Sequence, residues 1–141
     1  MNSQLEGVIQ APLAAVYDAL AEPSGFPSWS SEVIEAAALS PGVYRLKVMD
    51  VPPANQVLVI EVQLVEPPHV LAWHSLDHPD ANFESQGRIR LSQIESATRY
   101  VIEAGSQPRG ALAKSGYLVV GEPDKILRGF LAELKDYLER A

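Results

Sequence analysis

The order of two periodicities constrains this chain more than any other feature of its sequence. Several segments repeat apolar residues at every second position, and one segment at the end repeats them at every third and fourth position. A period of 2 is typical of half-buried β-strands, and a period of 3.6 is typical of an amphipathic helix. The sequence therefore predicts an α+β fold in which a long C-terminal helix follows a series of strands.

The predicted strands follow one another with only short breaks. They cover residues 3–10, 32–38, 42–50, 55–66, 71–75, 83–94 and 97–105. A first helix is predicted over 11–22, because Pro12 suits a first helical turn and Pro23 interrupts the pattern. Tight connections between consecutive strands favour an antiparallel sheet with one apolar face, which another element must cover.

The last helix, predicted over about 122–140, is the element long enough to cover that face. Its apolar stripe contains Leu127, Phe130, Leu131 and Leu134, and Pro123 marks its start, so a helix in 110–120 would be a separate one. A hollow is expected between sheet and helix wherever the inner side chains are too small to fill it.

Length and composition narrow the class of protein. The 141 residues fit one domain, 1–141, and the chain has no cysteine, which excludes disulfides and thiolate sites. The 18 acidic and 11 basic residues give a net charge of −7, which argues against nucleic acid as a partner. Neither a membrane span nor a signal peptide is predicted, so we expect a cytoplasmic protein.

Several stretches in a fixed order resemble the START-like (SRPBCC) superfamily, in particular its polyketide cyclase/dehydrase branch. They are "IQAPLAAVYDALAEPSGFPSW", "GVYRLKV", "VEPPHVLAWHS", "GRIRL" followed by "ATRYVIE", and "FLAELKDYLE", which together span nearly the whole chain. The resemblance implies a helix-grip fold: a curved antiparallel sheet wrapped around the C-terminal helix, with short helices after the first strand. It also implies a cavity for a lipid-like, aromatic or polyketide-like molecule.

The inner faces of the predicted elements define a candidate ligand site of apolar, aromatic and neutral polar side chains. Gly87 is included because a position without a side chain leaves room for a ligand. The predicted lining residues are Tyr44, Leu46, Ile60, Trp73, Ser75, Phe83, Ser85, Gly87, Tyr100, Leu127, Phe130 and Leu134.

The breaker-rich stretch "EPSGFPSWSSEV", residues 22–33, contains Trp29. The resemblance implies that this segment lies near a mouth of the cavity, which would place Phe26 and Trp29 on its rim. The alternative is that Trp29 plugs the end of the core, since large aromatic side chains dominate protein cores.

The sequence predicts no catalytic residue, no metal site and no cofactor. His74 and His78 stand near Asp77 and Asp80, but a spacing of four converges on one face only in a helix, and this segment is a strand that ends in a loop. The charged residues Glu61, Arg88, Arg90 and Glu103 fall on outer strand faces. We therefore expect a non-catalytic protein that binds a hydrophobic or amphipathic small molecule, with a cyclase or dehydratase as the alternative.

A partner-binding module is a third possibility. Val57, Val59 and Val65 fall on the nominally outer side of their strand and form a potential apolar patch. This patch would suit a protein partner or a homodimer, or the first helix would cover it.

Overall fold

The computed structural model describes residues 2–48, 56–108 and 123–140. Its elements, in chain order, are β1 (Asn2–Ile9), α1 (Leu13–Ala21), a 3₁₀ helix (Pro23–Ser28), β2 (Val33–Ser40), β3 (Val43–Val48), β4 (Gln56–Glu66), β5 (Val70–Ser75), β6 (Phe83–Ile94), β7 (Ala97–Pro108) and α2 (Pro123–Arg140). The predicted order of strands and helices is confirmed. The helix considered for 110–120 lies outside the described residues.

The strands form one seven-stranded sheet in the order β1-β7-β6-β5-β4-β3-β2, and every neighbouring pair is antiparallel. From β2 onwards each strand pairs with the next one in the chain, as the short connections predicted. β1 instead pairs with β7 at one edge, and α1 and the 3₁₀ helix carry the chain to β2 at the other edge. Register shifts in the β2–β3 and β4–β5 pairs bend these strands.

One end of the interior, which we call the packed end, is filled by side chains from α1, β1, β7 and the C-terminal half of α2. Ile9, Val16 and Leu134 are fully buried there. Thr98 is also fully buried, and its hydroxyl donates a hydrogen bond of 2.8 Å to the carbonyl of Ala11. This bond satisfies a polar group that would otherwise destabilise an apolar core.

The outer face of β4 differs from the expectation of an open apolar patch. Val59 is 2% exposed, and the connection 76–82 lies against this part of the strand: the Leu76 N–H donates to the carbonyl of Val59, and the Asn82 N–H donates to that of Val57.

Farther along β4, Leu64 is 54% exposed, although its parity, meaning its place in the alternation of inner and outer residues along the strand, predicts an inner position. The register shift between Gln63 and Glu66 explains the change, because a bulge breaks the alternation of faces.

Candidate functional site

A cavity of about 180 Å³ lies between the sheet, the 3₁₀ helix and the N-terminal half of α2. Its wall is mostly apolar. The described residues that line it are Leu20, Pro23, Phe26, Glu32, Val33, Leu46, Val48, Gln56, Leu58, Ile60, Val62, Leu71, Trp73, Phe83, Ser85, Ile89, Ile102, Ala104, Gly105, Ser106, Ile126, Leu127 and Phe130.

The cavity brings together more than half of the residues predicted for the ligand site. Phe26, Leu46, Ile60, Trp73, Phe83, Ser85, Leu127 and Phe130 all line it. Strand parity identified the correct face of the sheet for these positions. Other lining residues of the same parity, such as Leu58, Ile89 and Ile102, were missed, because parity does not say where along a strand the hollow lies.

Three predicted residues point inward but lie away from the cavity. Leu134 belongs to the packed end, and Tyr100 packs over Gly7, where a Cβ atom would stand 2.6 Å from the tyrosine oxygen. Tyr44 is buried in the same cluster as lining residues such as Leu46 and Ile60 without lining the cavity itself, and its hydroxyl lies by Glu22. Burial, with the added effect of the Glu22 carboxylate, raises the pKa of Tyr44, so this phenol stays neutral.

Trp73 is held in place by the strand beside it. Its indole Nε1–H donates to Ser85 Oγ at 3.0 Å, while Ser75 Oγ accepts from the Ser85 N–H at 2.7 Å and donates to the Ser85 carbonyl. A Cβ atom on Gly87 would stand 2.5 Å from the Trp73 ring. Gly87 thus makes room for Trp73 rather than for a ligand. Ser75 does not line the cavity, but its hydrogen bonds hold Ser85, which does.

Trp29 lies behind the cavity wall and completes an aromatic cluster that closes one side of the cavity. Its ring centroid is 5.4 Å from that of Phe26, 4.9 Å from Phe130 and 5.8 Å from Tyr137, on which it stacks. Phe26 and Phe130 also contact each other and form the cavity side of the cluster. The half-buried Trp29 therefore supports two lining rings without lining the cavity itself.

Glu133 of α2 fixes the segment that follows Trp29. Its carboxylate accepts hydrogen bonds from the backbone N–H and the hydroxyl of Ser31 and from the hydroxyl of Ser30. Burial opposes ionisation, but these hydrogen bonds, with one from the Glu32 backbone, hold the pKa of Glu133 below its ordinary value. The carboxylate thereby ties the 3₁₀ helix region to α2.

Glu32 lines the cavity, although the sequence did not point to it. It is the first residue of the predicted strand 32–38, to which no inner or outer face was assigned, and in the structure it immediately precedes β2. Burial raises the pKa of its carboxyl group; the negative charge of Glu133 adds to the rise and Lys125 partly offsets it. The alternation of strand faces placed Glu61, Arg88, Arg90 and Glu103 outside, and Glu32 adds an ionisable group to the cavity wall that this alternation did not indicate. A carboxyl group in an apolar wall can accept a hydrogen bond or transfer a proton.

The histidines of the 73–83 stretch lie apart from the cavity wall. His74 faces Glu61 across the outer surface at 3.4 Å, and the His78 ring accepts a hydrogen bond from the Asp80 backbone. Over the described ranges, no three His, Asp or Glu side chains come together as metal ligands would. Neither α1 nor α2, the described α-helices, has the combined length and apolar character of a membrane-crossing helix.

Comparisons with solved structures identify proteins of similar fold. No family model matches the chain, and no curated protein matches its sequence. A START superfamily protein from Mycobacterium smegmatis matches with a TM-score of 0.77 at 12% identity, over 99% of this chain and 97% of the other.

The Zhui aromatase/cyclase from Streptomyces sp. R1128 matches with a TM-score of 0.78 at 19% identity, over 99% and 94% of the two chains. A protein from Thermus thermophilus matches with a TM-score of 0.76 at 14% identity, over 99% and 98%. Likeness at such low identity establishes architecture and leaves activity open. The predicted resemblance is confirmed at the level of fold: the chain has the START-like, helix-grip fold, which it shares with aromatase/cyclase proteins.

Proposed function

We propose that this protein binds a small apolar or amphipathic molecule in the cavity between the sheet and α2. The observation that carries the proposal is the cavity itself, whose wall is built largely from aliphatic and aromatic side chains with few polar groups. Such walls are typical of ligand sites. Unfilled space in a protein core lowers the stability of the fold. A hollow beside a fully packed end is therefore consistent with a site that a ligand fills.

The volume of the cavity limits the size of the ligand. Pockets for drug-sized molecules span about 300–1,000 Å³, whereas an apolar cavity of about 150 Å³ accepts benzene. At about 180 Å³, the cavity suits a compact molecule with one or two rings better than an extended lipid.

Native mass spectrometry of protein purified gently from its host tests this proposal directly. We expect a bound small molecule that is lost from Val62→Phe, because a larger side chain at this lining position fills the hollow. Leu64→Phe is the matched control, since Leu64 lies two positions along the same strand and is exposed. A co-purified molecule retained equally by both variants would contradict the proposal.

A cyclase or dehydratase is the second candidate function. Glu32 favours it, because a carboxyl group of raised pKa in an apolar wall is what general acid–base catalysis requires. The test is incubation with a linear poly-β-ketone, followed by mass spectrometry for a product that has lost water. Product formation by the wild type that Glu32→Gln abolishes would support an enzyme, and unchanged substrate would argue for binding alone.

The homodimer stays a prediction. Val59 no longer supports it, since its side chain is buried, whereas Val65 remains about half exposed. Sedimentation at several concentrations distinguishes a monomer from a self-associating protein.

A cytoplasmic location is likewise a prediction, which fractionation of host cells would test.

A further inference from the structure

The wall of the cavity is aliphatic at one end and carries its polar residues at the other, beside apolar side chains such as Phe83 and Val48. The aliphatic end is a row of side chains in register across three neighbouring strands: Leu71 of β5 pairs with Ile89 of β6, which pairs with Ile102 of β7. All three are at most 4% exposed and line the cavity. This row offers a ligand only aliphatic contacts.

The polar lining residues lie together at the other end, and the strand register shows it. Ser85 pairs with Ser106 across β6 and β7, close to the start of β6 and the end of β7. On the opposite side of the sheet, Gln56 pairs with the last residue of β3, Val48, which pairs with the first residue of β2, Val33. Antiparallel pairing therefore brings these strand ends to one end of the sheet, and Glu32 immediately precedes β2.

Glu32 is the one titratable side chain among the described residues of the wall. Its carboxyl group lies against the backbone of α2 at Gly129, where a Cβ atom would stand 2.5 Å from Glu32 Oε1. A side chain at position 129 would displace the carboxyl group. The glycine therefore permits an approach that places an acceptor at the polar end of the cavity.

The charges around Glu32 come from α2. Glu133, which is engaged by Ser30 and Ser31, repels a negative charge on Glu32, and Lys125 attracts it. A neutral hydrogen-bond donor satisfies the carboxyl oxygens whether Glu32 is ionised or protonated, whereas an anionic ligand would meet two carboxylates.

From this arrangement, and resting on the proposed function, we propose that the cavity selects amphipathic ligands with a hydroxyl-type donor. The apolar body would pack on Leu71, Ile89 and Ile102, and the donor would form a hydrogen bond with the Glu32 carboxyl group. Glu32 would then be the residue that determines specificity.

A matched pair of probes tests the proposal. 2-Naphthol and 2-methylnaphthalene have nearly the same shape and differ by a hydroxyl in place of a methyl group. Their affinities would be measured by titration of the full chain, for the wild type, Glu32→Leu, Glu32→Gln and the exposed control Glu35→Gln. Glu35 lies on β2 three residues away and pairs with Lys47 on the surface.

We expect wild-type protein and Glu35→Gln to prefer 2-naphthol by about tenfold, the effect of one hydrogen bond to a carboxylate. Glu32→Leu should weaken 2-naphthol binding and so remove the preference. Glu32→Gln keeps the size of the side chain and should also reduce the preference. It provides the test if Glu32→Leu folds poorly.

A preference that survives both Glu32 substitutions would overturn the assignment of Glu32. Equal binding of the two probes by the wild type would overturn the selectivity and leave the binding function intact. Binding of neither probe would overturn the inference together with the proposed function, so the two failures are distinguishable.

Discussion

The two ends of the interior use the same sheet and the same helix in different ways. At the packed end, Leu134 on α2 and Ile9 on β1 are fully buried, and the buried Thr98 hydroxyl is hydrogen-bonded. At the cavity end, Phe130 and Leu127, one and two turns earlier on α2, stand beside a hollow of about 180 Å³. The comparison indicates that close packing at one end stabilises the fold, while the other end keeps the space in which we propose that a ligand binds.

The largest expected effect is at the packed end. Leu134→Ala should lower the free energy of unfolding by about 3–5 kcal/mol, because a fully enclosed site collapses little around the space it leaves. Leu127→Ala is the matched control on the same helix and should cost less, since Leu127 already borders a cavity. Denaturant unfolding measures both, and an equal loss would remove the distinction between the two ends.

Substitution of Trp29 tests whether the aromatic cluster contributes to the stability of the fold, to ligand binding or to both. Trp29→Ala should cost about 2–3 kcal/mol, less than a fully buried tryptophan, because the ring is half-buried. It should also weaken binding of 2-methylnaphthalene, since the lining rings of Phe26 and Phe130 lose their support. Tyr137→Ala removes only the outermost ring of the cluster, so 2-methylnaphthalene should still bind. Loss of binding in both variants would contradict the idea that Trp29, and not Tyr137, supports the lining rings.

Gly87→Ala should cost about 1–3 kcal/mol, the usual range for an overfilled core. The added methyl group would meet the Trp73 ring at 2.5 Å and the Glu103 carbonyl at 2.7 Å. Thermal unfolding measures the loss, and the displaced indole should alter Trp73 fluorescence. Gly25→Ala is the control, because a Cβ atom there has no neighbour within 4 Å; a similar loss in both variants would show that the contact with Trp73 is unimportant.

The smallest effect concerns pH. Because hydrogen bonds lower the pKa of Glu133 in the folded state, its contribution to stability is present above its ordinary pKa and is lost as the pH falls through the folded value. Glu133→Gln should therefore cost about 1 kcal/mol at pH 7 and little in acid. Unfolding measured across that pH range tests this.

The Glu133→Gln substitution also tests the electrostatic coupling between Glu133 and Glu32 in the cavity wall. Removing the charge of Glu133 should lower the pKa of Glu32, because the repulsion that helps burial to raise it disappears. The carbon chemical shift of the Glu32 carboxyl group, followed through a pH titration, measures the change. An unaltered Glu32 titration would show that the two carboxyl groups are not coupled across the cavity end.

The sequence predicted the elements well because each pattern is local. The alternation in 83–94 and the helical stripe around Phe130 report the face that each backbone turns inward, and the structure has β6 and α2 with those faces. Parity also correctly placed Trp73 and Ser85 on the cavity side. It failed at Leu64, next to the β4 bulge, where the alternation of faces is lost and both Leu64 and Val65 are exposed.

The candidate site was only partly predictable, because a cavity is what remains between elements that are distant in the chain. The role of Gly87 depends on the Trp73 ring on the neighbouring strand, and that of Trp29 depends on two residues of α2. Glu32 is the first residue of a predicted strand to which no face was assigned, and its approach to the cavity depends on Gly129, about a hundred positions later.

The sequence alone therefore determined which elements form, their order and which faces are apolar, because hydrophobic periodicity follows from the geometry of each backbone segment. Tertiary structure decided where the interior is filled and where it is hollow, which aromatic rings line the hollow, and that a carboxyl group reaches it. These properties depend on the volumes and distances between segments far apart in the chain, and no local pattern encodes them.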